Sequence, residues 1–315
     1  MNAFQKTAIT TIVATLILIA VGSLVRVSGA GLGCPDWPRC WGCWFPPSSI
    51  DQIDQNYLKE RGLDISEFNP VKMWIEYINR LVGMTIGFLV IATFLRSIPY
   101  RQANPVIFYG SLFAVFLVGF EGWLGGQVVQ SGLKPGMITL HMVGAMALLC
   151  LLLYVTFRAV DIQLPTHLPN PKLLARLSGL LFAIICIQML LGTQVREAID
   201  PYIKNDGGIS RSAWMANIGL IDHIHRSFTW LVLVVSGYLA YIIKKHAIRG
   251  LLHTTCFLSL GLIISQAFFG IALAYGGLPQ VFQVFHLVTA ALLICSVYTL
   301  WLTLRIAKSN AINSK

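Results

Sequence analysis

The chain has 315 residues, 56% of them hydrophobic and only 11% charged, with a mean hydropathy of +0.70. These values lie outside those of soluble domains and within those of polytopic membrane proteins, so a water-soluble globular fold is excluded. The net charge of +10 is no nucleic-acid signature, because the excess collects in segments expected on one side of a membrane.

Apolar runs long enough to cross roughly 30 Å of hydrocarbon lie at 7–27, 75–96, 106–129, 137–158, 173–195, 218–243, 251–275 and 282–305. Eight spans return both termini to one side. With the N-terminus inside, the inner segments carry twelve basic residues, from Lys6 and Arg96 to Lys308 and Lys315, against one acid, Asp161. The positive-inside rule then puts both termini on the cytoplasmic side of the membrane. Span 1 has some signal-peptide character. Arg26 interrupts the region where cleavage would fall, and the residues before Cys34 have the wrong order for lipoprotein processing, so the span is expected to stay.

The outer stretch 28–72 follows span 1. Its Gly- and Pro-rich start forbids a regular helix there, while Trp37, Trp41, Trp44 and Phe45 suit a lid lying at headgroup level. Three cysteines sit in it. Cys34 with Cys40 is the preferred disulfide, since five intervening residues with two prolines can close compactly. Cys40 and Cys43 as a redox-active Cys-x-x-Cys pair, or a metal site including Cys34, are the alternatives; no fourth Cys or His stands nearby to complete a zinc shell. Cys150, Cys186, Cys256 and Cys295 fall within spans and read as small apolar residues.

Span 2 opens Trp-Ile-Glu-Tyr-Ile-Asn-Arg from Trp74. Glu76 and Asn79 are three apart, so on a helix they stand about 60° from each other and share a face, with Arg80 beside it. Spans 3 and 4 add Glu121, Gly125, His141 and Gly144.

The second half repeats this plan. At an offset of 146, Glu76 falls on Asp222, Asn79 on His225 and Arg80 on Arg226. At 145, Glu121 meets Gln266, Gly125 meets Gly270 and His141 meets His286. At 170, Gly22 to Arg26 meets Gly192 to Arg196, the larger offset reflecting a longer first outer loop. The expected fold is an all-α membrane protein: two tandem four-helix bundles, 1–165 and 166–315, related by a pseudo-twofold along the membrane normal.

Ionisable groups in spans are costly, about 3 kcal/mol for a central charge, and so mark function. His225 and His286 on facing helices suit the two axial bonds of a b-type haem. Arg226 and Arg196 suit its propionates. His223 lies about 200° round the helix from His225, so the two cannot share the bundle interior, and His225 is favoured because it holds the repeated position. His167, His246 and His253 read as loop or helix-end groups. In the first half, His141 faces Asn79, and an amide is a poor iron ligand, which suits a haem that comes and goes. Glu76 is placed to act there as a base or as a negative charge; the alternative is an acid merely paired with Arg80 or Arg26.

The tandem repeat, the loop Gly-Leu-Gly-Cys-Pro-Asp-Trp-Pro-x-Cys, the Glu-Tyr-Ile-x-Arg opening of span 2 and the histidines starting spans 4 and 8 together resemble the haem A synthase family over essentially the whole chain. The resemblance implies an oxidoreductase that converts the ring D methyl group of haem O to a formyl group, by two hydroxylations and loss of water. It implies haem b as cofactor on His225 and His286, and haem O as substrate beside Glu76, His141, Asn79, Arg80 and Arg26. It also implies a Cys34–Cys40 disulfide. Implied partners are haem O synthase, cytochrome oxidase assembly factors and the lipid bilayer, with no nucleic acid; a homo-oligomer is compatible. The chain departs from the family pattern at Asn79, where most members carry histidine, and lacks a second cysteine pair between Val195 and Ile218. A membrane b-type cytochrome that only relays electrons is the competing reading, and a transporter a third.

Overall fold

The computed structural model describes residues 1–165, 168–204, 214 and 217–306; His167, Lys308 and Lys315 lie outside them. Among the described residues every regular element is helical. They are α1 (Ala3–Val27), α2 (Gln55–Arg61), α3 (Pro70–Ser97), α4 (Tyr100–Ala103), α5 (Pro105–Gln130), α6 (Pro135–Arg158), α7 (Pro171–Lys204), α8 (Leu220–Lys245), α9 (Leu251–Tyr275) and α10 (Gln280–Ile306). All but α2 and α4 are long and apolar enough to span a bilayer, which makes eight spans among the described residues and an integral membrane protein. Large side chains such as Phe116, Trp230 and Val234 stand exposed on these helices, as lipid-facing residues do.

Local chemistry sets the helix starts. Asn2 and Gln5 form a reciprocal capping box at α1, Asn69 caps α3 ahead of Pro70, and Asp54 caps α2, which Gly62 ends in the left-handed conformation. The fifth span was expected to end at 195, yet α7 continues to Lys204. Its last turns are too polar for an apolar window. They are held by an Arg196–Asp200 ion pair and by packing of Ile199 with Trp214, Ile218 and Leu278.

The contacts divide the chain into two units, Met1–Leu152 and Leu153–Lys315. In the first, α3 packs against both α1 and α5. Hydroxyls replace bulk at that seam, where Thr11 and Thr93 hydrogen bond at 2.9 Å. In the second, α7 packs on α8, α8 on α9, α9 on α10 and α10 back on α7, so α8 and α10 occupy opposite corners of a closed bundle. Ser259 and Ser296 join α9 to α10 at 2.8 Å.

The outer stretch carries more structure than its opening residues suggest. Its first part is irregular, as expected, but α2 and two short 3-10 turns follow. Trp41, expected at headgroup level with the other aromatics, is instead 2% exposed at the centre of a small core with Ile53, Leu58 and Met73. Its indole N–H donates to the Gly33 carbonyl at 2.8 Å, which gives the ring a polar partner inside the loop. Trp44 and Phe45 remain exposed. Gly33 lies so close to α3 that an added Cβ would sit 2.4 Å from the Lys72 carbonyl oxygen, so only glycine fits.

Candidate functional site

In the second unit, His225 projects from the second turn of α8 and His286 from the second turn of α10. Helices α8 and α10 stand at opposite corners of the bundle, which puts the two histidines at the same end of it. Both Nδ1 atoms are buried with no hydrogen-bond partner. Each ring faces a glycine on a neighbouring helix: a Cβ at Gly192 would stand 3.2 Å from Cε1 of His225, and one at Gly270 would stand 3.8 Å from Cε1 of His286. Small residues therefore leave room beside both rings.

Two glutamines fix the helices that carry these rings. Gln188 on α7 donates to the His225 carbonyl and to the Thr229 hydroxyl, both at 2.9 Å. Gln266 on α9 donates to the His286 carbonyl at 2.7 Å and to the Thr289 hydroxyl at 2.6 Å. In a low-dielectric interior such paired bonds hold the ring-bearing turns in register. Arg226 is ion-paired with Asp222 one turn back, and its guanidinium lies over the Tyr275 ring at 5.6 Å. Arg196 pairs with Asp200.

The first unit repeats these glycine-facing contacts with one histidine replaced by asparagine. Gly22 on α1 faces Asn79 on α3, where a Cβ would stand 3.8 Å from Oδ1, an atom buried without a hydrogen-bond partner. Gly125 on α5 faces His141 on α6, where a Cβ would stand 3.7 Å from Cε1. Gly22, Asn79, Gly125 and His141 thus match Gly192, His225, Gly270 and His286 contact for contact. Nδ1 of His141 lies 2.8 Å from a carboxylate oxygen of Glu121, although off the line of an ideal hydrogen bond.

Glu76 is 3% exposed. It accepts from the Cys34 backbone N–H at 2.8 Å and from Nε of Arg80 at 3.2 Å, and is also ion-paired with Nη2 of that arginine. Arg80 reaches onward to the carbonyls of Asp36, Arg39 and Cys34 at 2.7, 2.8 and 3.0 Å. The Cys34–Cys40 disulfide is formed, so those two sulfurs serve neither a Cys40–Cys43 pair nor a metal site. Cys43 keeps a free, half-buried thiol, its backbone paired with that of Cys40. Asp36 ties the loop closed by accepting from the Trp41 and Gly42 N–H groups at 2.7 and 3.0 Å.

The sequence-derived residues thus fall into two groupings. Glu76, Arg80, Cys34 and Cys40 join at the base of the outer loop, with Asn79 one turn beyond Glu76 and Arg26 in the last turn of α1. His225 and His286 face each other, while exposed His223 points elsewhere. His253 packs on Phe257 and His246 caps α8, as helix-end groups do. Four features went unforeseen: the glycines opposite the ligands, the two glutamine clamps, the grip of Arg80 on loop carbonyls, and the Glu121–His141 contact. The offset that aligns Glu121 with Gln266 also aligns Gly144 with Thr289, and that double change was the signal for the last of them.

The donor set fits haem. Paired histidines on opposite corners of one bundle, each beside a glycine that leaves room for a flat macrocycle, could supply the two imidazole donors of its iron. Fold and site together define a helical integral membrane protein whose buried polar residues fit haem-related chemistry. A sequence profile of COX15-CtaA, described as a cytochrome oxidase assembly protein, matches residues 5–298. The chain is 27% identical over 313 residues to a protein named haem A synthase from Shewanella oneidensis, covering 92% of this chain and 93% of that protein. It is 22% identical to a haem A synthase of Bartonella tribocorum, over 91% of this chain and 88% of that one, and 24% identical to one of Nitrosomonas eutropha, over 88% of each. The chain belongs to the COX15-CtaA family, the haem A synthase family of cytochrome oxidase assembly proteins.

Proposed function

We propose that this protein makes haem A by oxidising the ring D methyl group of haem O to a formyl group, with the first unit holding substrate and the second holding haem b. The observation that carries the division of labour is the repeated cradle: His225 and His286 complete it in the second unit, whereas Asn79 breaks it in the first. Haem b, when bound, supplies electron transfer. His225 and His286 bind it, Gln188 and Gln266 keep their turns rigid, and Arg226 and Arg196 lie at the outer end to meet its propionates.

In the first unit His141 binds the substrate iron from one side. The weak amide of Asn79 on the other leaves the substrate exchangeable. Glu76 stands one helical turn from Asn79 and takes up a proton or stabilises positive charge as the methyl group is oxidised. Its link to Cys34 and Arg80 fixes the carboxylate and also joins it to the disulfide loop that roofs this end of the bundle. With water as the oxygen source, two hydroxylations and loss of one water carry the methyl group to the aldehyde (R–CH3 + H2O → R–CHO + 4 H+ + 4 e−), and the two electron pairs released pass to an acceptor.

The distribution of basic residues supports placement in a bacterial inner membrane with cytoplasmic termini. Haem O synthase and cytochrome oxidase assembly factors are the partners this reading implies. The test is expression with a haem O source followed by pigment extraction. Haem A is expected; its absence, with haem b present, would instead establish an electron relay.

A further inference from the structure

Glu121 is a buried acid, 6% exposed, within a membrane-spanning helix, where an unused carboxylate is costly. Neither of its oxygens has a hydrogen-bond partner of good geometry, and the polar atom it approaches is Nδ1 of His141 at 2.8 Å. Space for that approach has been cleared. A Cβ on Gly144 would lie 1.8 Å from Oε1 of Glu121, a separation no side chain tolerates, so the carboxylate occupies its position only because residue 144 is glycine.

The second unit uses the equivalent positions differently. Gln266 and Thr289 bond to one another and to the His286 carbonyl, so there the pair holds backbone and leaves Nδ1 of the imidazole untouched. Exchanging Gln for Glu and Thr for Gly at the same two positions redirects the polar group from the backbone to the ring.

We propose that Glu121 is the positioning residue for His141. A carboxylate only accepts hydrogen bonds, so its partner must be the Nδ1–H tautomer, which presents Nε2 to the iron. A carboxylate on the far nitrogen orients the imidazole and makes it a stronger donor. The device stands in the unit whose opposite ligand is the weak Asn79: one reinforced bond there takes the place of two ordinary ones. This rests on the reading that His141 binds the iron of haem O.

The test uses the purified full chain loaded with haem O, comparing wild type with Glu121→Gln and Gly144→Ala. The second variant retains the carboxylate but displaces it, and alanine is a better helix former than glycine. Both variants are expected to keep haem O bound, to shift its reduction potential upward and to lower its ferrous iron–imidazole stretching frequency, while the haem b of the second unit is unmoved. An unchanged potential and stretch in either variant overturns the proposal. His141→Ala separates the two layers: if haem O remains bound with its spectrum intact, the underlying assignment of His141 fails, whatever Glu121 does.

Discussion

Glu76 accepts a hydrogen bond from the backbone N–H of Cys34, a residue whose sulfur is in the outer-loop disulfide. The acid proposed to serve the substrate and the covalent closure of the roof are therefore one connected structure. Arg80 completes it by binding Glu76 and three carbonyls of the same loop.

Replacing Glu76 with alanine removes the carboxylate and leaves the residues proposed to hold haem b unchanged. We expect formyl formation to be lost while the haem b spectrum persists. Haem A produced at the wild-type rate by this variant would remove Glu76 from the chemistry and leave it a loop anchor.

Opening the disulfide tests the roof separately. A double Cys34→Ser and Cys40→Ser change releases a short closed loop, for which the chain-entropy argument gives about 2 kcal/mol. Because Asp36, Trp41 and Arg80 still bind the loop, we expect faster proteolysis between residues 28 and 72 with the eight spans intact. Wild-type resistance to protease would show that hydrogen bonding alone holds the roof.

His286→Leu deletes one of the two proposed haem b ligands. The low-spin haem b signal is expected to vanish, and Gly192→Leu should weaken it too, since its side chain would press on the His225 ring already 3.2 Å from a modest Cβ. Persistence of the signal in His286→Leu would transfer the ligand role to another residue, His223 first.

Asn79→His supplies the second histidine that the proposed repeat lacks in the first unit. Gly22 stands opposite, as Gly192 stands opposite His225, so the ring has a small neighbour to fit against. Haem O should then bind more tightly and turn low-spin in electron paramagnetic resonance. A spectrum identical to wild type would mean that the first cradle is not where haem O lies.

Much of this architecture was legible in the chain. The eight spans follow from hydropathy alone, and the pairing of Asn79 with His225 and of His141 with His286 follows from constant offsets. The continuation of α7 past residue 195 was hidden because its last turns are polar and are held by Arg196, Asp200 and a tertiary apolar cluster. The burial of Trp41 is not legible in sequence, because an aromatic near a membrane surface and one at the centre of a loop core look alike there; only packing against Ile53, Leu58 and Met73 separates them. The Glu121–His141 contact spans two helices, and its one sequence trace, the paired change at 121 and 144, becomes readable once the Gly144 clash is seen.

On the proposed function, one cradle is present twice, with two firm ligands in one unit and one in the other. Electron paramagnetic resonance of the purified ferric protein, loaded with haem O and compared with His286→Leu, tests it most directly. The account expects two distinct haem signals in the parent protein, a bis-histidine low-spin one that His286→Leu abolishes and a more weakly ligated one that survives. A single signal, or two identical low-spin signals, would contradict it.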